Sequence, residues 1–119
     1  MAKRILIIDD DPDIVAVTQA KFQLNGYDVS TAFNGLSALE LLEKEKADLI
    51  IADIIMPEMD GFTFYKIFRS REEFREIPVI ILTALSRLED SFIELGVQGF
   101  LAKPFAPHDL VVKVEEILT

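Results

Sequence analysis

The chain of 119 residues contains no cysteine, so disulfide frameworks, thiolate zinc centres and cysteine nucleophiles are excluded at once. Its single histidine, His108, excludes a multi-histidine metal site and leaves little room for a Ser-His-Asp triad. Basic residues are scarce: 12 Lys and Arg face 21 Asp and Glu, for a net charge of −9. Binding of nucleic acid through phosphate neutralisation, or of an anionic membrane through a polybasic segment, is therefore not expected. No apolar run approaches the roughly 20 residues of a membrane-spanning helix, and the N-terminus lacks the apolar core of a signal peptide. What is abundant is apolar material, at 50% of the residues. A chain of this length can bury roughly two-thirds of its unfolded surface. The expectation is one cytoplasmic domain over residues 1–119, whose chemistry rests on carboxylates, hydroxyls and lysines.

Continuous apolar runs mark strands buried on both faces. They are Arg4–Asp9, Ala47–Asp53 and Ile77–Thr83, with shorter segments at Tyr27–Phe33 and Gly99–Ala102. Helical patterns lie between them. Pro12 and Asp13 start one that runs through Ile14, Val17 and Phe22 and stops at Gly26. Asn34-Gly35 turns into a second, carrying Leu36, Leu39 and Leu42. A third spans Phe62–Arg69, and a short fourth, Leu88–Leu95, ends at Gly96. The last starts at Pro107 and sets Leu110, Val111, Val114, Ile117 and Leu118 on one stripe. Five strand–helix units imply right-handed crossovers and a parallel sheet covered on both faces. Five are too few for an eight-stranded barrel, which leaves a doubly wound (βα)5 sandwich of the α/β class.

In such a sheet the ligand crevice lies beyond the carboxyl ends of the strands. Here those ends carry Asp9, Asp10 and Asp11, then Asp53, then Thr83, with Lys103 just past the last strand. Each has an ordinary alternative. An aspartate after a strand is often only a helix N-cap, Thr83 a strand-end hydroxyl, Lys103 a solvated lysine. Convergence on one rim weakens those alternatives. Crowded carboxylates repel, and either protonation or a bound hard cation relieves them. Oxygen-only ligands select Mg²⁺ over zinc or copper. Lys103 adds a second positive group, suited to a transferring phosphoryl group. A Walker-type phosphate loop is absent from the sequence, while a carboxylate can itself accept a phosphoryl group.

Four segments now stand together: Ile5-Leu-Ile-Ile-Asp-Asp-Asp-Pro12, Asp53-Ile-Ile-Met-Pro57 with Gly61, Leu82-Thr-Ala84 and Lys103-Pro-Phe105. In this order, over essentially the whole chain, they resemble the receiver domain of two-component response regulators, of the chemotaxis-regulator type. The resemblance implies a five-stranded parallel sheet in the flavodoxin-like order 2-1-3-4-5. It implies that Asp53 is the phosphoacceptor, phosphorylated from the phosphohistidine of a sensor histidine kinase. Asp9, Asp10, Asp53 and the backbone carbonyl of Ile55 would hold Mg²⁺, Asp10 more directly and Asp9 largely through water. Asp11, one beyond the pair, is read as solvated. Thr83, Ala84 and Lys103 would bind the phosphoryl group, with a cis bond before Pro104 turning Lys103 toward it. Thr83 and Phe100 would form the switch, the Phe100 ring filling space that Thr83 vacates. Such a domain is not an enzyme on other substrates; it phosphorylates and dephosphorylates itself. Its partners would be the kinase and a downstream protein target, or an effector domain absent from this chain. No direct contact with nucleic acid or membrane is expected, and a phosphorylation-dependent homodimer is left open.

Some positions depart from the family pattern. Ile55 stands where a more polar or longer side chain is common; an isoleucine cannot position water, so slow self-dephosphorylation is expected. Phe100 lacks the hydroxyl of the common tyrosine. The stretch from Thr83 to Lys103 is short, and the fourth helix is expected to lose part of a turn. Phe62, Phe64, Tyr65 and Phe68 crowd one helix; core packing is expected for some, with a partner or dimer face as the alternative for the rest. Three other functions compete. A phosphatase of the haloacid dehalogenase type fits Asp9-Asp-Asp11 as D-x-D, but needs a cap domain that 119 residues cannot hold. A flavin carrier of the same fold should offer Ser or Thr in its first loop, where this chain offers three aspartates. An interaction module independent of phosphorylation would not need Asp10, Asp53, Thr83 and Lys103 together.

Overall fold

The apolar runs and helical stripes assemble as their periods require. In the computed structural model, which describes residues 2–53, 61–84, 96–103 and 105–119, the chain order is β1 (Arg4–Ile8), α1 (Pro12–Leu24), β2 (Asp28–Ala32), α2 (Gly35–Lys44), β3 (Leu49–Asp53), α3 (Gly61–Ser70), a single 3-10 turn (Glu72–Phe74), β4 (Val79–Thr83), β5 (Gly99–Ala102) and α4 (Pro107–Leu118). The five strands are parallel, in the order β2-β1-β3-β4-β5. The fourth-helix expectation over Leu88–Leu95, and its shortening, lies outside the described residues.

Alternation along each strand sorts the core into two layers. On one face Leu6, Ile8, Ile50, Ala52, Val79 and Ile81 pack against α2 and α3. On the other, Ile5, Ile7, Leu49, Ile51, Ile80 and Leu82 pack against α1 and α4. All five residues of β3 and of β4 are buried, which is why those runs read as unbroken hydrophobic stretches. Among the described residues, no helix is long and apolar enough to cross a membrane.

Two local outcomes differ from the sequence reading. The buried face of α1 is Val15, Thr18 and Phe22, at i, i+3 and i+7, while Val17 is 55% exposed. Hydropathy favoured valine over threonine, but the register set by Phe22 turns Thr18 inward. Asp11 is not merely solvated: its carboxylate accepts from the amides of Asp13 (2.9 Å) and Ile14 (3.3 Å). It is the N-cap of α1, satisfying donors that the first helical turn leaves unpaired. Asn34 caps α2 in the same way, through the Ser37 amide at 2.8 Å.

Three of the four α3 aromatics are core, and the side chain of Phe62 lies outside the described residues. Phe64, Tyr65 and Phe68 are each at most 1% exposed, so these three do not form a partner or dimer face. Phe68 stacks on Phe64 at 5.7 Å and on Phe74 at 5.3 Å between centroids, a geometry that adds to burial. The 3-10 turn carrying Phe74 supplies the second side of that stack. A helix face wide enough for three rings is therefore filled from a neighbouring segment.

Candidate acidic rim at the carboxyl ends of the strands

Parallel register brings the strand ends level. Ile8 is opposite Ala52, Asp53 opposite Leu82, and Thr83 opposite Ala102. The chain leaves the sheet at neighbouring points, and Asp9, Asp53, Thr83 and Lys103 meet on one rim. The Asp9 amide extends the ladder, donating to the Ala32 carbonyl at 3.1 Å, and the Lys103 amide donates to the Thr83 carbonyl at 2.8 Å. Backbone pairing thus holds both residues before their side chains interact.

The side chains form a tight ionic group. Lys103 Nζ donates to Asp9 Oδ2 and to Asp53 Oδ2, each at 2.9 Å. Asp9 is fully buried, Asp53 7% exposed and Thr83 fully buried, whereas Asp10 is exposed. The second oxygen of Asp9, Oδ1, accepts from the Asp11 amide at 3.0 Å. Burial alone pulls the Lys103 ammonium toward its neutral form, but hydrogen bonds to Asp53 and Asp9, together with their charges, outweigh it and raise its pKa above 10.5. The lysine is held charged. Among the described residues, no buried side-chain nitrogen or oxygen lacks a hydrogen-bond partner.

Asp9, Asp10 and Asp53 also place one carboxylate oxygen each within 4.8 Å of the others. Oxygen donors from two buried acids and one exposed acid fit a hard cation that keeps some of its water. Beside the rim lies a cavity of about 470 Å³, lined by Ile14, Val17, Ala84, Phe105 and Pro107, with Lys103 on its wall. Ala84 is exposed directly after Thr83. Phe100 lies in the middle of β5, opposite Ile81, and is 9% exposed in the α2–α3 layer of the core. Of the expected site residues, Ile55 and Pro104 lie outside the described residues. The structure brings Asp9, Asp10, Asp53 and Lys103 together and sets Thr83 and Ala84 at the same strand end.

One further cluster went unseen in the sequence. At the opposite end of the sheet, Arg69 donates to the carbonyls of Phe74 (3.1 Å), Arg75 (2.9 Å) and Ile77 (3.0 Å). It also reaches the Tyr65 hydroxyl at 3.0 Å and Gln98 Oε1 at 3.3 Å, and lies over the rings of Tyr65 and Phe68 at 5.2 Å. The available signal was a basic residue in the last turn of an aromatic-rich helix, although the carbonyls it holds lie beyond that helix.

The 2-1-3-4-5 parallel sheet is that of a doubly wound, flavodoxin-like domain, and its rim carries a buried carboxylate pair clasped by a strand-end lysine, with an exposed third acid. The family model described as the response regulator receiver domain matches residues 5–115, and the chain belongs to that family. It is 38% identical over 120 residues to the alkaline phosphatase synthesis transcriptional regulatory protein PhoP of Bacillus subtilis, covering 99% of this chain and 49% of that protein. The chain thus spans about half the length of the curated relatives it matches. Among solved structures, the chemotaxis response regulator CheY4 of Vibrio cholerae superposes with a TM-score of 0.91 at 32% identity, covering 98% of this chain and 99% of that one. The receiver domain of the sensor histidine kinase PA1611 of Pseudomonas aeruginosa, with a magnesium ion in its active-site cleft, superposes with a TM-score of 0.86 at 29% identity, covering 98% and 97%.

Proposed function

We propose that this receiver domain accepts a phosphoryl group on Asp53 from the phosphohistidine of a sensor histidine kinase, in a reaction that requires Mg²⁺. The observation that carries the reading is the position of Lys103, its ammonium 2.9 Å from both Asp9 and Asp53. An Asp53 carboxylate oxygen attacks phosphorus in line, and the bond from phosphorus to the histidine nitrogen breaks with its electron pair returning to the imidazole. Lys103 turns from the carboxylates to the transferred oxygens, and the Thr83 hydroxyl and Ala84 amide donate to them as well. Asp9, Asp10, Asp53 and the carbonyl of Ile55 would hold Mg²⁺, which would supply charge neutralisation between carboxylates and phosphate. The magnesium ion described in the PA1611 receiver domain supports that choice of ion.

The kinase segment bearing the histidine would dock along α1. Val17 is 55% exposed there, and the adjoining cavity shares Lys103 with the rim, so an apolar helix seated on it brings its histidine to Asp53. Phosphorylation then favours a state in which Thr83 moves toward the phosphoryl group and Phe100 repacks behind it. A downstream target, or an effector domain of the kind a longer protein carries, reads the change; PhoP, a transcriptional regulatory protein about twice this length, supports the second arrangement. A side chain at Ile55 that cannot orient water makes the acyl phosphate long-lived, and Ile55→Asn is expected to lose phosphate faster.

The test is labelling by a small acyl-phosphate donor, with and without Mg²⁺, in wild type and Asp53→Asn. One equivalent taken up only with Mg²⁺ and only by wild type is expected. Labelling that persists in Asp53→Asn, or that proceeds equally without divalent metal, overturns the reading.

A further inference from the structure

β5 has four residues and lies at the edge of the sheet, with one ladder, to β4. Its two ends are attached differently. At the carboxyl end the attachment is the Lys103 amide on the Thr83 carbonyl, at 2.8 Å. At the amino end, Gln98 grips Val79 in both directions. Its amide donates to the Val79 carbonyl at 3.0 Å, and its side-chain Oε1 accepts from the Val79 amide at 2.8 Å. The same Oε1 accepts from Arg69 at 3.3 Å. Arg69 in turn holds the carbonyls of Phe74, Arg75 and Ile77 on the approach to β4. α3, the chain leading into β4 and the residue preceding β5 are thereby joined through one guanidinium.

Geometry gives this junction a role beyond stability. A displacement begun at Thr83 reaches the edge strand at the carboxyl end of the ladder, where Thr83 faces Ala102 and its carbonyl accepts from the Lys103 amide. If the far end of β5 were free, the strand would follow by sliding, and Phe100 would keep its place relative to Ile81. With the far end fixed, the displacement must be taken up between the two ends, where Phe100 lies. Close-packed surroundings turn such a displacement into a repacking of the ring rather than a gradual drift.

We infer that Arg69, acting through Gln98, is a positioning residue of the switch: it fixes the amino ends of β4 and β5 against α3, so that movement at Thr83 is delivered to Phe100. This rests on the Thr83–Phe100 reading proposed above. Gln98 is exposed and Arg69 half-buried, so replacements there remove hydrogen bonds at the amino ends of the strands without changing the apolar side chains of the core. Neither residue lies on the acidic rim.

The experiment follows Phe100 by fluorine NMR in protein labelled with fluorophenylalanine, its resonance assigned by Phe100→Leu, before and after acyl-phosphate treatment with Mg²⁺. Label uptake is measured in parallel. Gln98→Leu removes the shared acceptor, Arg69→Met removes the donors but keeps an apolar stem over the rings, and Gln98→Glu preserves the acceptor. The first two are expected to take up phosphate as wild type does, yet to show a phosphorylation-induced Phe100 shift reduced at least twofold. Gln98→Glu is expected to keep the full shift. A full shift in Gln98→Leu, with or without a lower unfolding temperature, overturns the inference and leaves the switch reading standing. A wild-type protein that takes up phosphate with no Phe100 shift overturns the switch reading itself, and the inference with it.

Discussion

Two cations stand at opposite ends of the same sheet, and they are bound by different chemistry. Lys103, at the carboxyl ends of the strands, is paired with two carboxylates. Arg69, beyond the amino ends of β4 and β5, is held by three backbone carbonyls, a tyrosine hydroxyl and an amide oxygen, over two aromatic rings. Arg69 has a fork of fixed donors whose partners are neutral and belong to the fold. Lys103 is a point charge on a flexible stem, and its partners are the groups a divalent cation and a phosphoryl group would claim. An arrangement built for permanence uses dipoles and stacking. One built for exchange uses ions whose partners can be replaced.

Four substitutions probe that contrast. Phe68→Ala removes the platform beneath Arg69 and empties the stack between Phe64 and Phe74; a loss of about 3–5 kcal/mol in denaturant unfolding is expected. Lys103→Met should lower Mg²⁺-dependent phosphoryl uptake by about 100-fold while far-ultraviolet dichroism stays native. Unfolding of the domain by that substitution would instead put Lys103 in the same category as Arg69. Arg69→Met should cost about 2 kcal/mol of stability without changing uptake, so a matching fall in uptake would erase the contrast from the other side. Asp11→Ala, which removes the cap of α1 but keeps the backbone amide that bonds Asp9, should cost about 1 kcal/mol and leave the label stoichiometry at wild-type level.

The acidic rim was more legible in the sequence than the arginine hub, for a physical reason. Buried parallel strands announce themselves as unbroken apolar runs, so their last residues can be located within about one position. Polar residues at those ends then converge by topology alone, and Asp9, Asp53, Thr83 and Lys103 were placed in this way. The pairing of Lys103 with both Asp9 and Asp53 was not visible, because side-chain reach is not a property of strand order. The hub depends on carbonyls of residues 74, 75 and 77, and any residue type presents a carbonyl. The rings of Tyr65 and Phe68 stood out as an aromatic run, but Phe74 lies in a one-turn element too short for periodicity to reveal. On α1 the failure was of another kind. Hydropathy ranked Val17 above Thr18, whereas the helix buries Thr18 and leaves Val17 out, beside the cavity next to the rim.

Lys103 belongs to two circuits at once. Its ammonium reads the charge on the carboxylates, and its own amide is bonded to the carbonyl of Thr83. On the proposed reading, input and output would share a residue, and the path between them would be the length of one side chain. A short path leaves few intermediate contacts in which a message can be lost. It also leaves few places where a mutation could retune the response without damaging its reception, so adjustment of the output should fall to residues remote from the rim.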